Sequence, residues 1–570
     1  MRMTLSKSKN AEQVYITKAY RDESGKSTSK IFKKLGSMAS LLPEHDNDRD
    51  KVIAWAKEQA RIYTEAEKKN ELKIPIELSE GKQLTFGEKS TLAGGYLFLQ
   101  KTFHELGLKN ICDEISSKYG FQYDLSSILS RLIYARVLSP SSKLSSYEYM
   151  EELLESPDFE LHDIYRALDV LDKESDFIQA RIYEATKAER NDGILYYDCT
   201  NFFFEIEEEK GIRKYGKGKE HRPNPIVQMG LFLDGNGIPL AFTVFSGNEN
   251  EQPSLIPLEK KILKDFKLSK FIICTDAGLA SQANRRFNDK ADRSFIVTQS
   301  LKVMKAHLQE WSLNPNGWHL GSGEQLYDIS EIDEELHKDS VFHKERWIKE
   351  NGFEQRLIVW YSPKYKHYQQ TIRQRQVDRA IKIIDKGSSA KTRNPNSPTR
   401  FINEMQLTMD GVIAEKAVKS LDRDKIIEEE KYDGFTAVCT TLEDDIKDIL
   451  KVSRRRWEIE ESFRIMKSEF KARPVYLHRD ERIRAHFLTC FLSLLVYRTL
   501  EHKLDEKYTV SEIIQTLRSM NFFRLGGIGY LPEYTRTELT DDLHNVFGFR
   551  TDSEIITDKT MKKNIRATKE

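Results

Sequence analysis

The spacing of apolar residues changes once along the chain. Between about Leu41 and Arg190 they recur three and four positions apart, as in DRDKVIAWAKEQARIYTEAEKK and LSSILSRLIYARVL. This spacing is typical of amphipathic helices. After Gly193, short apolar runs rich in β-branched and aromatic residues alternate with turn residues. We therefore predict a mainly helical region over residues 41–190, followed by a region that contains a sheet.

The helical region is also a candidate DNA-binding region. The turn SPSS at Ser139–Ser142 separates two of its helices. Short helices joined by such turns can place one helix in a major groove, but ordinary packing between helices is the commoner explanation. No recognition helix is therefore assigned.

The apolar runs after Gly193 predict three strands, a helix, a strand, a helix and a strand. They read ILYYDCTNFFFEI, PIVQMGLFLD, GIPLAFTVFSG, EQPSLIPLEKKILKDF, KFIICTDAG, SQANRRFND and SFIVTQ. Alternation of this kind predicts an α/β or α+β fold. The order is that of a ribonuclease-H-like core, in which the first and fourth strands are neighbours. We assign residues 191–300 to the first part of this core.

A segment of different composition interrupts the predicted core. Residues 301–432 contain polar strands, the charged helix KYKHYQQTIRQRQVDRAIKIIDK and the run GSSAKTRNPNSPTR, which is built from loop residues. We interpret this segment as an insertion domain. The strand GFTAVCTT and the helical stretch LEDDIKDILKVSRRRWEIEESFRIMKSEF then resume the core, which we extend over residues 433–525.

The two ends of the chain differ in character. In residues 1–40 two strand-like runs flank the turn DESGK, which predicts a β-hairpin. Residues 1–34 carry nine Lys or Arg against three Asp or Glu. Such a hairpin can track a phosphate backbone, although a solvated and partly flexible end explains the charge equally well. Residues 526–570 are assigned to a C-terminal tail.

Composition excludes some classes of protein. The 90 Lys and Arg balance the 90 Asp and Glu, so the net charge implies neither a nucleic-acid nor a membrane partner. The five cysteines show no CxxC spacing, which argues against a zinc site or disulfide framework and fits a reducing cytoplasm. The N-terminus lacks the apolar core of a signal peptide. The apolar run Phe487–Tyr497 has about half the length of a membrane span, so we predict a buried helix and no membrane partner.

Two aspartates at strand positions are candidates for metal chemistry. Asp198 lies within an apolar strand, where burying a carboxylate costs several kcal/mol unless it pairs with a cation or a metal. Asp276 ends the strand FIICTD. The plain alternatives are a hydrogen-bonded strand-end Asp and the N-cap of the following helix. Because the first and fourth strands are neighbours in the predicted topology, we expect the two carboxylates to share a metal.

A helix in the second part of the core supplies a third acid. In RRRWEIEESFRIMK the spacing places Arg456, Glu460, Phe463 and Lys467 along one face, with Glu461 on the adjoining stripe. Two-metal phosphoryl transfer needs hard oxygen ligands that hold Mg²⁺ ions roughly 4 Å apart. The alternative is a series of salt bridges such as Arg456 with Glu460, each stabilising the helix by tenths of a kcal/mol.

These residues resemble a known family, the bacterial insertion-sequence DDE transposases whose last glutamate lies in a Tyr-Arg-Glu-Lys signature. The signature reads Tyr-x2-Arg-x3-Glu-x6-Lys, and its spacing here gives Ser453, Arg456, Glu460 and Lys467. Three of the four positions match, and Ser453 replaces the tyrosine. The blocks YYDCTNFFFE, GKGKEHRPNPIVQMGLFLDGNGIPLAFTVFSGN, TDAGLASQAN and RWEIEESFRIMKSEFKARPVY also look like that family.

The resemblance implies an enzyme that cleaves DNA at terminal inverted repeats and transfers the strand to a target. It implies that Asp198, Asp276 and Glu460 are the catalytic metal ligands, with Mg²⁺ as cofactor and Mn²⁺ as a substitute. Arg456 and Lys467 are then expected to contact DNA phosphates near the cut. A homodimer in the synaptic complex and a cytoplasmic, nucleoid-associated location follow as expectations.

Further basic residues fit a DNA path. The stretch KGIRKYGKGKEHR contributes Lys214, Lys217 and Arg222, and the last helix contributes Arg464. A solvated charged face is the alternative for each. Some relatives hold a flipped base against a tryptophan of the insertion, which here contains Trp311, Trp318, Trp347 and Trp360. No spacing selects one of these four.

Two other functions remain open. A ribonuclease-H-like nuclease would cut DNA without recognising element ends. A catalytically silent DNA-binding protein derived from a transposase would recognise those ends without cutting them.

Overall fold

The structure is a computed structural model. The structure describes residues 1–7, 12–21, 27–71, 76, 83, 86–87, 89–219, 222–321, 323–350, 352–386, 396–407 and 413–570. The predicted turn DESGK and residues 387–395 of the loop-rich run lie outside the described residues. The chain divides into two compact units, Met1–Glu88 and Lys89–Glu570.

The first unit is a small sheet with a long helix. Its elements are β1 (Arg2–Lys7), β2 (Glu12–Arg21), β3 (Ser27–Ser37), α1 (Met38–Leu41) and α2 (Arg49–Glu71). Strands β2 and β3 pair antiparallel as the predicted hairpin requires, and β1 adds a third strand beside β2. Val52 and Ala56, four positions apart on α2, pack with Val14 in the core of this unit. On β3, Ile31 and Phe32 remain exposed.

The predicted helical region 41–190 is divided between the units, because α2 belongs to the first unit and the remaining helices begin the second. The first elements of the second unit are β4 (Thr91–Ala93), α3 (Tyr96–Glu105), α4 (Leu108–Lys118), α5 (Leu125–Leu138), α6 (Lys143–Met150), α7 (Leu161–Lys173) and α8 (Ser175–Thr186). Asp124 begins α5 by accepting hydrogen bonds from the backbone N–H groups of Ser126 and Ser127. Almost every residue of α5 is buried, so this helix lies inside the unit.

A central sheet follows. Its first elements are β5 (Ile194–Phe203), β6 (Ile226–Asp234), β7 (Pro239–Ser246), α9 (Leu255–Lys261), β8 (Phe271–Thr275), α10 (Gln282–Phe287) and β9 (Arg293–Thr298). Strands β5, β6 and β7 are antiparallel, whereas β8 pairs parallel with both β5 and β9. The mixed α/β class is confirmed, and the first and fourth predicted strands are neighbours as expected.

Residues 301–432 extend this sheet. They contain α11 (Ala306–Leu313), β10 (Trp318–Leu320), β11 (Leu326–Tyr327), β12 (Phe342–Glu350), β13 (Phe353–Tyr361), α12 (Pro363–Asp385), β14 (Ile402–Leu407), β15 (Ile413–Leu421) and α13 (Arg423–Glu430), and β16 (Phe435–Thr440) follows. Strand β16 pairs with β9, and β13 pairs with β16. The described part of the chain therefore has one sheet of ten strands, in the order β11-β10-β12-β13-β16-β9-β8-β5-β6-β7. Strands β14 and β15 pair separately.

The last part of the chain closes the core. It contains α14 (Ile446–Arg454), α15 (Trp457–Ser468), α16 (Asp480–Lys503), α17 (Val510–Ser519), β17 (Asn521–Leu525), β18 (Gly529–Pro532), α18 (Glu538–Phe547), β19 (Ile556–Thr557) and α19 (Asp558–Ala567). The predicted C-terminal tail thus carries helices and strands, and β17, β18 and β19 form a sheet with β4. Short 3₁₀ segments lie at Leu42–His45, Lys187–Glu189, Gln252–Ser254, Ala277–Leu279, Leu301–Val303 and Pro398–Phe401, and a π-helical turn at Ile262–Phe266.

Helix α16 is the apolar helix predicted from Phe487–Tyr497. Among the described residues it alone has the length and hydropathy to cross a membrane, but 89% of its most apolar window is buried inside the protein. It packs against α7 and α5. The prediction of a buried core helix is confirmed.

Candidate active site

Asp198 lies in the middle of β5, the third strand from one edge of the ten-stranded sheet. Its side chain is 8% exposed, and one carboxylate oxygen accepts a hydrogen bond from the backbone N–H of Cys199 at 2.7 Å. Burial raises the pKa of Asp198 to about 6; the charge of Lys219 opposes this rise, that of Asp276 adds to it, and that of Arg456 opposes it. Asp198 is therefore a buried carboxylate that a second carboxylate and two cations influence directly.

Asp276 directly follows β8, the parallel neighbour of β5. Tyr197 and Thr275 are paired in register, so the next residue on each strand is one of the two aspartates. Asp276 also accepts a hydrogen bond from the backbone N–H of Leu279 at 3.2 Å and caps a 3₁₀ turn. A carboxylate has further lone pairs, so the capping role found here leaves capacity for a cation.

Glu460 does not form a metal-binding group with Asp198 and Asp276 in this structure. Its side chain is 58% exposed and forms an ion pair with Arg456 at 3.1 Å, the alternative that the sequence left open. Among the residues that the structure describes, no three His, Cys, Asp or Glu side chains form a group that would hold a metal ion. Arg456 links the two parts of the predicted triad, because it pairs with Glu460 and its charge lowers the pKa of Asp198.

The two aspartates fit a divalent cation. They supply hard oxygen donors from adjacent strands. Burial, and to a smaller extent the charge of Asp276, raises the pKa of Asp198, and a bound cation would offset both effects. Gly278 keeps this edge open, because a Cβ at that position would lie 3.2 Å from a carboxylate oxygen of Asp276.

Helix α15 reaches the same face of β5 through Lys467. The Lys467 ammonium donates a hydrogen bond to the Thr200 hydroxyl at 2.7 Å and lies 5.5 Å from the centre of the Phe202 ring. Thr200 and Phe202 share a face of β5 with Asp198 because side chains alternate along a strand. The structure therefore brings Lys467 and Asp198 to one surface.

Arg464 belongs to a different stripe of the helix. Its guanidinium donates to the carboxylate of Glu461 at 2.7 Å, and its side chain is 56% exposed. This pair occupies the stripe on which the sequence placed Glu461, beside the exposed Trp457. Arg464 is thus engaged by a neighbouring carboxylate and does not share the face of Lys467.

The basic residues of the stretch after β5 make different kinds of contact. Lys214 forms an ion pair with Glu209 at 3.5 Å. Lys217 lines a cleft of about 600 Å³. The Arg222 guanidinium lies 4.3 Å from the centre of the Phe203 ring, and Arg473 lies 4.7 Å from the same ring. Residues 220–221 of this stretch lie outside the described part of the chain.

Lys219 was missed as an individual site residue. Its ammonium donates to the backbone carbonyl of Cys199, and its charge acts on Asp198. The sequence signalled only a run of lysines and glycines, in which no spacing distinguishes Lys219 from Lys217. The position of Lys219 depends on how the loop between β5 and β6 folds back against β5. The periodicity of the sequence does not predict this path.

The four tryptophans of residues 301–432 differ in exposure. Trp318 and Trp360 are buried in the core. The ring of Trp311 is covered by the ammonium of Lys344 at 5.0 Å and the guanidinium of Arg346 at 5.3 Å. Trp347 is 45% exposed.

Comparison with known proteins identifies the family. The family model described as "Transposase DDE domain" matches residues 194–496, which is 303 of the 570 residues. No curated protein matches the chain. Among solved structures, one match is the cryo-EM structure of the piggyBac transposase synaptic complex with hairpin DNA, with 9% identity, a TM-score of 0.36, and coverage of 82% of this chain and 87% of that chain. Since the matched domain spans more than half of the chain and includes Asp198, Asp276 and Glu460, this chain belongs to the transposase DDE domain family.

Proposed function

We propose that this protein is a bacterial insertion-sequence transposase that binds the terminal inverted repeats of its element and catalyses cut-and-paste transposition. The observation that carries the proposal is the placement of Asp198 and Asp276 on adjacent parallel strands within the matched domain. The strand order β7-β6-β5-β8-β9 agrees with a ribonuclease-H-like core. Three of the four signature positions around Glu460 agree with the Tyr-Arg-Glu-Lys group.

Asp198 and Asp276 would hold the divalent ion, with Mg²⁺ as the natural choice and Mn²⁺ as a substitute. Such an ion activates a water or a 3′-hydroxyl and stabilises the leaving oxygen of an in-line displacement. Glu460 would complete the ligand set. Its ion pair with Arg456 engages one carboxylate oxygen, so the other oxygen would ligate the ion, and opening of the ion pair would free both oxygens.

The cations of the site would position DNA. Lys467 presents its ammonium on the face that carries Asp198, where it can pair with a phosphate oxygen near the cut. Arg456, released from Glu460, would bind a second phosphate oxygen. The charge of Lys219 already lowers the pKa of Asp198, and from the loop between β5 and β6 its ammonium would bind a further phosphate oxygen.

Residues farther from the carboxylates would track the backbone. Arg222 and Lys217 lie on the loop that leads away from β5, and Lys214 lies there in an ion pair that DNA would have to compete with. Arg464 is proposed only as a peripheral contact, since Glu461 neutralises it. In the first unit, the basic β2–β3 hairpin with its exposed Phe32 is proposed to contact the element end.

Two copies of the chain would assemble on paired element ends, in the cytoplasm and on the nucleoid. Sedimentation of the protein with an end-bearing duplex tests this part of the proposal. A complex with two protein chains supports it, and a complex with one chain contradicts it.

A strand-transfer assay tests the proposed activity. The protein is incubated with Mg²⁺, a labelled fragment bearing the element end and a target plasmid, in parallel with Asp276→Asn and the matched control Asp339→Asn. Asp339 pairs with Lys364 outside the site. Transfer product from the parent and the control, and none from Asp276→Asn, is the expected result.

Two other results identify the alternatives. Binding without cleavage by the parent indicates a silent DNA-binding protein. Cleavage without preference for the element end indicates a nuclease.

A further inference from the structure

The chain that directly follows α15 is held by side chains from other helices. Four successive backbone carbonyls there accept hydrogen bonds, and they belong to Glu469, Phe470, Lys471 and Ala472. The donors are one side chain each from α17, α5 and α16, namely Arg518, Arg136 and His486. The helix that carries Glu460 and Lys467 is therefore attached at its end to the helical part of the second unit.

Arg136 makes two of these contacts from the buried face of α5. Its side chain is 4% exposed, and one terminal nitrogen donates to the carbonyls of Phe470 at 3.1 Å and Lys471 at 3.2 Å. The other terminal nitrogen donates to the carbonyl of Ser141 at 3.2 Å, in the turn SPSS. One guanidinium therefore joins the turn after α5 to the end of α15.

The charge of Arg136 is buried without an acidic partner. Among the residues that the structure describes, no carboxylate pairs with Arg136, and its Nε–H is buried without a hydrogen-bond partner. A buried ionised group costs free energy unless it is paired. The carbonyls at the C-terminal end of a helix carry partial negative charge, so the end of α15 offsets part of this cost. An apolar side chain would fill the same space without the cost, so packing alone does not account for the guanidinium.

The backbone at the end of α15 also depends on this contact. Lys471 has a φ of 42°, which lies in the left-handed region. Residues other than glycine rarely adopt this conformation, and it persists where surrounding contacts hold it. Because Arg136 binds the carbonyls of Lys471 and of the residue before it, the guanidinium stabilises the turn in which the chain leaves α15.

Apolar packing leaves the position of α15 less well defined than these hydrogen bonds do. The buried residues of α15 include Ile459, Phe463 and Met466. Apolar contacts are not directional and tolerate a small rotation or axial shift of a helix, whereas hydrogen bonds are directional. Lys467 lies two residues before the bound carbonyls and contacts Thr200 at 2.7 Å. A shift at the end of α15 would therefore break this contact.

We propose that Arg136 is a positioning residue of the active site. It acts through α15, whose rotation and axial position it fixes, so that Lys467 is presented to the DNA on the face of β5 that carries Asp198. This inference deepens the proposed function and rests on it where DNA is involved. The position of α15 is measurable without DNA.

The test compares two substitutions on one helix. Arg136→Met removes the guanidinium and leaves an unbranched apolar side chain. Arg131→Met is the matched control, because Arg131 also lies on α5 and donates to backbone carbonyls outside α15 and its end, those of Ser127, Glu155 and Ser156. If Arg136→Met does not unfold cooperatively, Arg136→Lys takes its place. The lysine keeps the charge, but its single nitrogen cannot occupy the positions of both terminal guanidinium nitrogens.

The first measurement is the distance between two spin labels on the full chain without DNA, by double electron–electron resonance. The labels are attached to Ser468→Cys at the end of α15 and Ser269→Cys just before β8, both exposed positions. The five native cysteines are buried and do not compete for the label. We expect the parent and Arg131→Met to give the same narrow distance distribution, and Arg136→Met to give a shifted or broader one.

The second measurement is the salt dependence of affinity for a fluorescent duplex of mixed sequence, in a double-mutant cycle of Arg136 and Lys467. In the parent and in Arg131→Met, Lys467→Gln should lower the slope of log affinity against log salt by about 0.9. Arg136→Met should lower the slope by about the same amount, and Lys467→Gln added to it should cause no further change. A folded variant that is merely less stable would retain the full effect of Lys467→Gln.

Two results overturn the inference. One is an unchanged distance distribution in folded Arg136→Met. The other is a full further loss of slope when Lys467→Gln is added to Arg136→Met. If Lys467→Gln leaves the slope of the parent unchanged while Arg136→Met still alters the distance distribution, Arg136 positions α15 and the failure lies in the proposed function.

Discussion

The ammonium of Lys467 lies 2.7 Å from the hydroxyl oxygen of Thr200 and holds helix α15 against the face of β5 that carries Asp198. This contact joins two parts of the chain that are 267 residues apart. It places a cation on this face of β5 before any DNA is bound. The signature lysine is thus held in position by a strand residue that the signature does not include.

Replacement of Lys467 by Gln should weaken DNA binding through the loss of one phosphate contact. We expect the slope of log affinity against log salt to fall by about 0.9 for duplex DNA. Lys507→Gln is the matched control, because Lys507 pairs with Glu538 and Asp542 and lies outside the site. An unchanged slope in Lys467→Gln would show that this lysine contacts no phosphate.

Replacement of Arg456 by Gln should strengthen metal binding and weaken strand transfer. Arg456→Gln removes the partner of Glu460 and a positive charge that acts on Asp198. We therefore expect Mn²⁺, followed by electron paramagnetic resonance, to bind the variant more tightly than the parent. Strand transfer should fall, because the phosphate contact is lost.

Arg464→Gln serves as the control for Arg456→Gln, since Arg464 pairs with Glu461 on another stripe. It should leave Mn²⁺ affinity unchanged. Weaker Mn²⁺ binding by Arg456→Gln would contradict the placement of the metal site.

Much of the site follows from local patterns, and some of it does not. The short apolar runs ILYYDCTNFFFEI and KFIICTDAG predict β5 and β8, and the adjacency of these two strands brings Asp198 and Asp276 together.

The helical pattern runs through Arg455 without a break signal, yet the helix is interrupted there and Arg455 forms an ion pair with Glu458. The Tyr196 hydroxyl on β5 donates to the backbone carbonyl of Val452, the acceptor that a continuous helix would offer to Arg456, so a tertiary contact overrides the local preference at this point.

Long-range pairing is the other part that periodicity does not reveal. The pairing of β16 with β9 joins segments on either side of residues 301–432 and draws β12 and β13 into the central sheet. The seven buried residues of β13 from Gln355 to Tyr361 require cover on both faces, which a central sheet position provides. Polar residues in β12 made this segment look separate in sequence.

Glu259 should make folding stability depend on pH. It is fully buried on α9, accepts from the Asn288 amide at 3.1 Å and has one oxygen without a partner among the described residues. Burial raises the pKa of Glu259 to about 8, against the hydrogen bond from Asn288 and the charge of Arg293. The folded state therefore holds a proton that the unfolded state releases above pH of about 4.5.

The sign follows from this difference in proton binding. The contribution of Glu259 to the free energy of unfolding falls as the pH rises from about 4.5 to about 8, and it is constant above that. Urea unfolding at pH 6 and pH 8.5 should show that Glu259→Gln removes this loss, which is on the order of a few kcal/mol. Glu354→Gln, on an exposed position of β13, should retain the parent's dependence. If the free energy of unfolding of Glu259→Gln depends on pH as much as that of the parent, Glu259 is not the group responsible.

The central claim is that Glu460 acts with Asp198 and Asp276 although it now pairs with Arg456. Glu460 and Glu461 are adjacent on α15, yet they pair with different arginines. The most direct measurement is strand transfer in Mg²⁺ by Glu460→Gln and Glu461→Gln, with binding of the element end measured alongside. The account predicts that Glu460→Gln binds the end and gives no transfer product, while Glu461→Gln transfers at close to the parent's rate. Equal transfer by both variants would contradict it.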